Sequence, residues 1–436
     1  GSASYRRDAS SRFHPDNRWG DFWSLGGAWI ISKEKWFDAS WVDMLKLKAS
    51  IGSQGNDNIG AYRYVDTYGI SNANNLVGTA FEAKGNKDIT WETQTNFNAG
   101  VEFDLFNRLS VSTEYYYRKT SDMLMAYSVA PSIGYTSYYA NVGDLYNTGV
   151  ELDMKVNILK SKNVNWDFDF NISSIKNRVS KLADEHKNGY YYTANGEKVK
   201  GFTSGSFFIA EGQSIYTWRL KDYAGVDPET GEPMWWKNTY AMNEDGTFKL
   251  DADGDKVWAG REKTKVYNDA DYYMTEKTTV PKWQGGFGTM VRAYGFDLSF
   301  HCSFQLGGKA YDSTYASFMS SPTSNHGGWN FHKDLLNSWS PDNVNSSIPR
   351  FQYGDQYGSS SSTRFLTSSD YLNIENINLG YTVPASLLSK IDVTSLRFYL
   401  ACENVCYFSA RKGFDPRLSY SDSSNATTYS PMRTIS

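Results

Sequence analysis

The chain is poor in the residues that staple, ligate and catalyse. Its 436 residues hold three cysteines, five histidines and 11 prolines. Cys302, Cys402 and Cys406 are odd in number and lack zinc-type spacing, so they read as small apolar residues on strands. There is no GxSxG elbow, HExxH, CxxC, P-loop or GxGxxG, and the histidines are scattered, which leaves no sign of an enzyme. No run of 18 apolar residues exists, which excludes a transmembrane helix. No basic block exists either, and 44 Lys and Arg against 48 Asp and Glu give a net charge of −4. Nucleic acid is therefore not an expected partner. The chain opens on Gly1-Ser2, with neither Met nor signal peptide, and reads as starting in mid-protein or after a cloning scar.

Aromatic residues are abundant: 32 Tyr, 24 Phe and 14 Trp. Mean hydropathy is nevertheless −0.56. The apolar residues stand singly between polar ones, which suits strands and not buried helices. From Val164, the residues Trp166, Phe168, Phe170 and Ile172 alternate with Asn165, Asp167, Asp169 and Asn171. Phe296, Leu298, Phe300, Cys302 and Phe304 alternate with Asp297, Ser299, His301 and Ser303. Val150 to Asn157 and Asn96 to Leu105 repeat the pattern, with weaker copies at 45–51, 109–117, 283–293 and 396–402. Phe22 to Ser32 mixes its faces, and Tyr371 to Val383 changes phase near Glu375 and Asn376, where a β-bulge is expected.

These strands are longer than the about 5–6 residues usual in soluble sandwiches and match the about 9–11 needed to cross a bilayer. Tight turns at 106–108, 159–163 and 294–295 alternate with long connections, as in outer-membrane barrels. The fold expected is all-β: a transmembrane antiparallel β-barrel, with residues 1–436 forming the C-terminal portion of a single barrel domain. Placing the tight turns on the periplasmic side gives eleven strands, starting with Ser2 to Asp8. The extracellular loops then fall at about 54–89, 120–141, 181–281, 305–370 and 407–436. No apolar-alternating strand follows Gly413, so the barrel's closing strand is expected to be absent. A soluble aromatic-rich carbohydrate-binding module and a glycosidase on a β scaffold are the competing classes.

The polar strand faces would line a wet lumen through Glu102, Asp104, Glu151, Asp153, Asp167, Asp169 and Asp297. Trp91, Trp166, Trp283 and Tyr294 sit at strand ends, where amphipathic rings suit the headgroup layer. The outer loops carry Trp218, Trp235, Trp236, Trp258 and Trp329, which could touch cargo, contact a partner protein or pack the loop core. The adjacent pair Trp235-Trp236 is the preferred exposed candidate. Asp251, Asp253 and Asp255 hint at a calcium loop, but Lys256 stands where an EF-hand needs glycine, so a solvated acidic turn is favoured and no cofactor is expected.

Local strings add a resemblance. Arg7-Asp8-Ala9-Ser10-Ser11-Arg12-Phe13, Leu45 to Gly52 with Gln54-Gly55-Asn56, Thr90-Trp91-Glu92, Asn147-Thr148-Gly149-Val150-Glu151, Gly225-Val226-Asp227-Pro228-Glu229-Thr230-Gly231, Leu379-Gly380-Tyr381 and Gly413-Phe414-Asp415-Pro416 occur in this order. Together they resemble SusC-like (SusC/RagA) TonB-dependent transporters, with Ala9 standing where the family pattern has glycine. The resemblance implies a Gram-negative outer-membrane protein of about 22 strands. It also implies a plug and a TonB-contacting segment in an N-terminal region not present in this sequence. A SusD-like lipoprotein lid is implied as partner, outer-membrane lipid as surroundings, and an oligosaccharide, or alternatively a peptide, as cargo.

Overall fold

The computed structural model describes residues 1–73, 76–187, 189–322, 330–355, 357–389, 393–418 and 431–436. One antiparallel sheet forms a wall. Its strands are β1 (Ser2–Ala9), β2 (Trp19–Ile30), β3 (Val42–Asn56), β4 (Glu92–Leu105), β5 (Leu109–Ser121), β6 (Gly143–Lys160), β7 (Val164–Ser174), β8 (Trp283–Ala293), β9 (Phe296–Leu306), β10 (Tyr371–Thr382), β11 (Arg397–Ser409) and β12 (Thr434–Ile435). They lie side by side in chain order. The eleven expected strands are all present. The twelfth, pairing with Cys402 and Glu403, begins where the sequence suggested only polar loop.

Turn chemistry sets the register. Phe106 and Asn107 both adopt positive φ (58° and 51°), and Tyr294-Gly295 does the same (51° and 89°). Two successive left-handed residues make the tight turn whose twist matches that of paired strands. The connections at 31–41, 106–108, 161–163, 294–295 and 383–396 gather at one end of the wall. The long ones gather at the other. The expected bulge is present: His301 pairs with Asn376 but Cys302 pairs with Ile374, leaving Glu375 as the extra residue. Ile374 and Ile377 thereby face the same side despite their odd spacing.

The wall has no second layer on its apolar face. Leu25, Leu298, Phe398 and Leu400 are 56%, 45%, 61% and 56% exposed. Each such side chain left in water forgoes about 1.5–3 kcal/mol of burial, which hydrocarbon supplies instead. A soluble sandwich would pack these residues against a second sheet. The buried apolar residues belong instead mainly to the long connections. Met123, Tyr127, Val142, Leu145, Val179, Leu182, Phe202 and Ile209 form one cluster, and Phe13, Ile59 and Ile89 another.

The connection after β7 is not loop throughout. Strands at 189–192, 198–204, 207–210, 217–221 and 272–278 close into a small five-stranded barrel. A three-stranded sheet, 223–226, 233–240 and 258–264, lies between its last two strands in sequence. Hairpins at Leu124–Ser128 with Ser137–Asn141 and Thr67–Ala73 with Leu76–Ala83, and the pair Lys309–Tyr311 with Leu366–Ser368, belong to the same canopy.

Candidate functional site

The polar face of the wall carries a charge ladder. Lys46 Nζ lies 2.9 Å from Glu102 Oε2, and Lys48 Nζ lies 3.0 Å from Glu102 Oε1 and 2.8 Å from Glu114 Oε2. Gly100 stands between Lys48 and Glu114 in the register. A Cβ there would meet Lys48 Cε at 2.9 Å, so the glycine leaves the lane through which the lysine reaches. Asp297 receives Arg397 at 2.7 Å across Gly380, another position without a side chain. Half-buried ion pairs of this kind fix side chains more than they stabilise the sheet.

Four more of the expected lumen residues converge. Asp104, Asp153, Asp167 and Asp169 line a hollow of about 760 Å³ with Asp43, Arg108, Lys155 and Asn157. Asn157 Nδ2 donates to Asp167 Oδ1 (2.6 Å), and Asn165 Nδ2 donates to Asp167 Oδ2 (2.5 Å). Glu151 borders an adjoining hollow of about 290 Å³ with Lys48, Glu114 and Asp153. This end of the inner face, near the tight turns, carries more carboxylates than cations. Hydrogen-bond donors and acceptors line this hollow closely.

The aromatic residues at strand ends divide. Trp166, Trp283 and Tyr294 are exposed (41%, 42% and 72%), and Trp166 Nε1 donates to Thr289 Oγ1 at 2.8 Å. Trp91 is different. Its ring packs against Phe13 and Phe22 (centroids 5.5 and 5.3 Å), and its Nε1 donates to the Arg18 carbonyl. It therefore belongs to the canopy core and not to a lipid interface. Sequence reasoning missed the richer aromatic belt beside the tight turns, where Trp29 meets Trp36 and Trp41 stacks on Phe106. Proximity to those turns was the available signal. From Trp283 to Tyr294 the chain climbs ~36 Å at ~3.3 Å per residue, or ~25 Å along the normal at a ~45° tilt, the height of an outer-membrane apolar band.

Most of the loop tryptophans are structural. Trp218 and Trp235 are 0% and 1% exposed, which corrects the expectation of an exposed Trp235-Trp236 pair. Trp218 Nε1 donates to the Lys309 carbonyl, tying the small barrel to the connection after β9. Trp258 covers Gly196, whose Cβ would lie 2.3 Å from its ring, and donates to Asn238 Oδ1. Strand alternation separates neighbours: Trp236 points away from Trp235, is half-buried, and lies under Arg261 (4.3 Å) and Lys263 (5.7 Å). Trp329 lies outside the described residues.

The acidic turn is filled from within. Ligand oxygens of Asp251, Asp253 and Asp255 lie within 4.8 Å of one another. Lys198 Nζ sits among them, 2.7 Å from Asp251 and 3.5 Å from Asp253, and also pairs with Asp255. Lys200 pairs with Asp253 at 2.9 Å. The Lys198 ammonium holds the Asp251 carboxyl below its usual range, and Lys200 does the same for Asp253. A lysine thus takes the place a calcium ion would need.

A family model described as TonB dependent receptor-like, beta-barrel, matches residues 1–405. The chain belongs to this family. The TonB-dependent receptor barrel is 27% identical over 429 residues to TonB-dependent receptor P3 of Formosa agariphila, covering 96% of this chain and 40% of that protein. It is 24% identical to TonB-dependent receptor SusC of Bacteroides thetaiotaomicron, covering 95% of the chain and 39% of SusC. Among solved structures it resembles the RagAB peptide transporter, with 28% identity and a TM-score of 0.77 over 96% of this chain and 43% of that one. The chain thus spans about two fifths of the length of these relatives. Like its family, it is an outer-membrane β-barrel protein, crossing with strands and not helices.

The family strings acquire physical reasons. A Cβ on Gly149 would lie 1.9 Å from the Ser174 carbonyl oxygen. There β6 exchanges one partner segment for another, pairing with β7 from Glu151 onward and with Lys176–Leu182 before that. In the Gly225–Gly231 string both glycines have positive φ (99° and 73°), and Trp339 lies where a Gly231 side chain would be.

Proposed function

We propose that this chain supplies wall and canopy to a TonB-driven importer of a hydrophilic nutrient, most simply an oligosaccharide, working with a SusD-like surface lipoprotein. The tight turns face the periplasm and the canopy faces outward. Cargo captured between canopy and lid enters the lumen, and a TonB pull on a plug opens the way past it. One observation carries the reading: strands of bilayer length expose apolar residues on one face and interlocked charges on the other. Charges paired on the wall leave their remaining hydrogen-bond capacity to passing solute, which favours movement over tight retention.

Peptide cargo is a second reading, favoured by the likeness to the RagAB peptide transporter. Purifying the full-length protein in detergent with its co-purifying lipoprotein, then releasing bound ligand by heat for mass spectrometry, separates the two. Glycan ions support the first reading and peptide ladders the second. A protein that stayed monodisperse without detergent, and ran identically on gels boiled or unboiled, would overturn the importer altogether.

A further inference from the structure

The canopy contains a buried imidazole with no assigned task. His186 ends the short 3-10 turn Asp184–His186 and is 0% exposed. Neither ring nitrogen has a hydrogen-bond partner among the described residues. Its ring centroid lies 4.2 Å from that of Tyr127, on the Leu124–Asn141 hairpin, and 6.2 Å from that of Phe202, in the small barrel. One imidazole therefore joins two connections that leave the wall at different places.

The groups around it offer little to a positive charge. Glu185 Oε1 is 3.6 Å from Nε2, but that carboxylate is three-quarters exposed and screened by water. Tyr127 donates its hydroxyl to the Glu185 carbonyl, and Tyr138 packs edge-on against Tyr127. Lys187 is engaged with Asp184 and Glu211. The small barrel presents Phe202. A neutral ring suits this site, whereas an imidazolium would bring two N–H donors into an apolar cluster. Burial holds the imidazole below its ordinary range, with Glu185 opposing.

We infer that His186 is an acid-sensitive latch. Neutral, it packs the Leu124–Asn141 hairpin onto the small barrel; protonated, it lets the two part. Because the packed state binds the proton less readily than the open one, its stability is full above pH ~6.5 and falls as pH drops below that value.

Hydrogen exchange of the full-length protein in detergent, compared near pH 7.5 and 5.5 after scaling for intrinsic rates, tests the latch. Segments 124–141 and 198–204 open up to about tenfold more at the lower pH, a limit set by a released imidazole of pKa ~6.5. Segment 92–105 of the wall serves as the unchanged control. His186→Phe, which fills the space without a titrating group, flattens the response. Opening that ignores pH in the wild type, or a full response in H186F, would overturn the latch.

Discussion

Trp218 and Trp236 lie eighteen positions apart in one connection, yet the structure gives them opposite prospects. Trp218 is fully enclosed by Phe207, Tyr311 and the Lys309 carbonyl. Trp218→Ala should cost about 3–5 kcal/mol in the stability of the small barrel, read as proteolysis of the canopy at lower temperature. Trp236→Ala should cost under about 1.5 kcal/mol, since Trp236 is half-buried and loses mainly its cation–π contacts. Gly231 is a stricter case: a methyl there meets both a left-handed φ and Trp339. Gly231→Ala should destabilise the turn by about 1–3 kcal/mol, visible as faster hydrogen exchange over 225–232. The Asp227 carboxyl in that turn is held below its usual range by the Lys265 ammonium and then by the Glu229 N–H. A depressed carboxyl stabilises above its unfolded pKa of ~3.9 and loses that contribution as pH falls further. Exchange over the turn should therefore rise in acid below pH ~4, and Asp227→Asn should show the loosened state already at neutral pH.

At the scale of the strand, the alternation of faces makes a sharp contrast testable. Val101→Arg would place a charge on the lipid side and cost about 2–4 kcal/mol near mid-bilayer, while Asn98→Arg on the lumen side should leave folding into lipid vesicles nearly unchanged. That same alternation is why the wall was legible in the sequence. A period of two needs only neighbours, so β7 and β8 were found nearly to the residue, and the phase change at Glu375 announced its bulge. The small barrel was not legible, because strands of 4–7 residues, two of them (207–210 and 217–221) mostly buried throughout, leave no period to detect. For the site, that the carboxylates share the polar face followed from parity alone, whereas the partners Lys46, Lys48 and Arg397 required the register. Trp91 was misplaced because its position at a strand end says nothing of Phe13, which reaches it from a distant turn.

At the scale of the molecule, wall and canopy obey different solvents. The wall draws its stability from hydrogen bonding between strands and from lipid, and the canopy from apolar clusters in water. Seen from the wall, however, the largest canopy excursion has almost no width. The Ile175 N–H donates to the Lys282 carbonyl at 3.2 Å, and β7 and β8 pair without interruption from Ser174 with Trp283 onward. Apart from Lys176–Leu182, which pairs with the outer end of β6, the stretch from one to the other is equivalent to a hairpin turn for the sheet. Replacing residues 183–280 by a short turn should therefore preserve a heat-modifiable barrel on gels. Such a junction separates inheritance of the chassis from inheritance of its headpiece: a new recognition module could be exchanged at this one seam, with the membrane-embedded part left as it was.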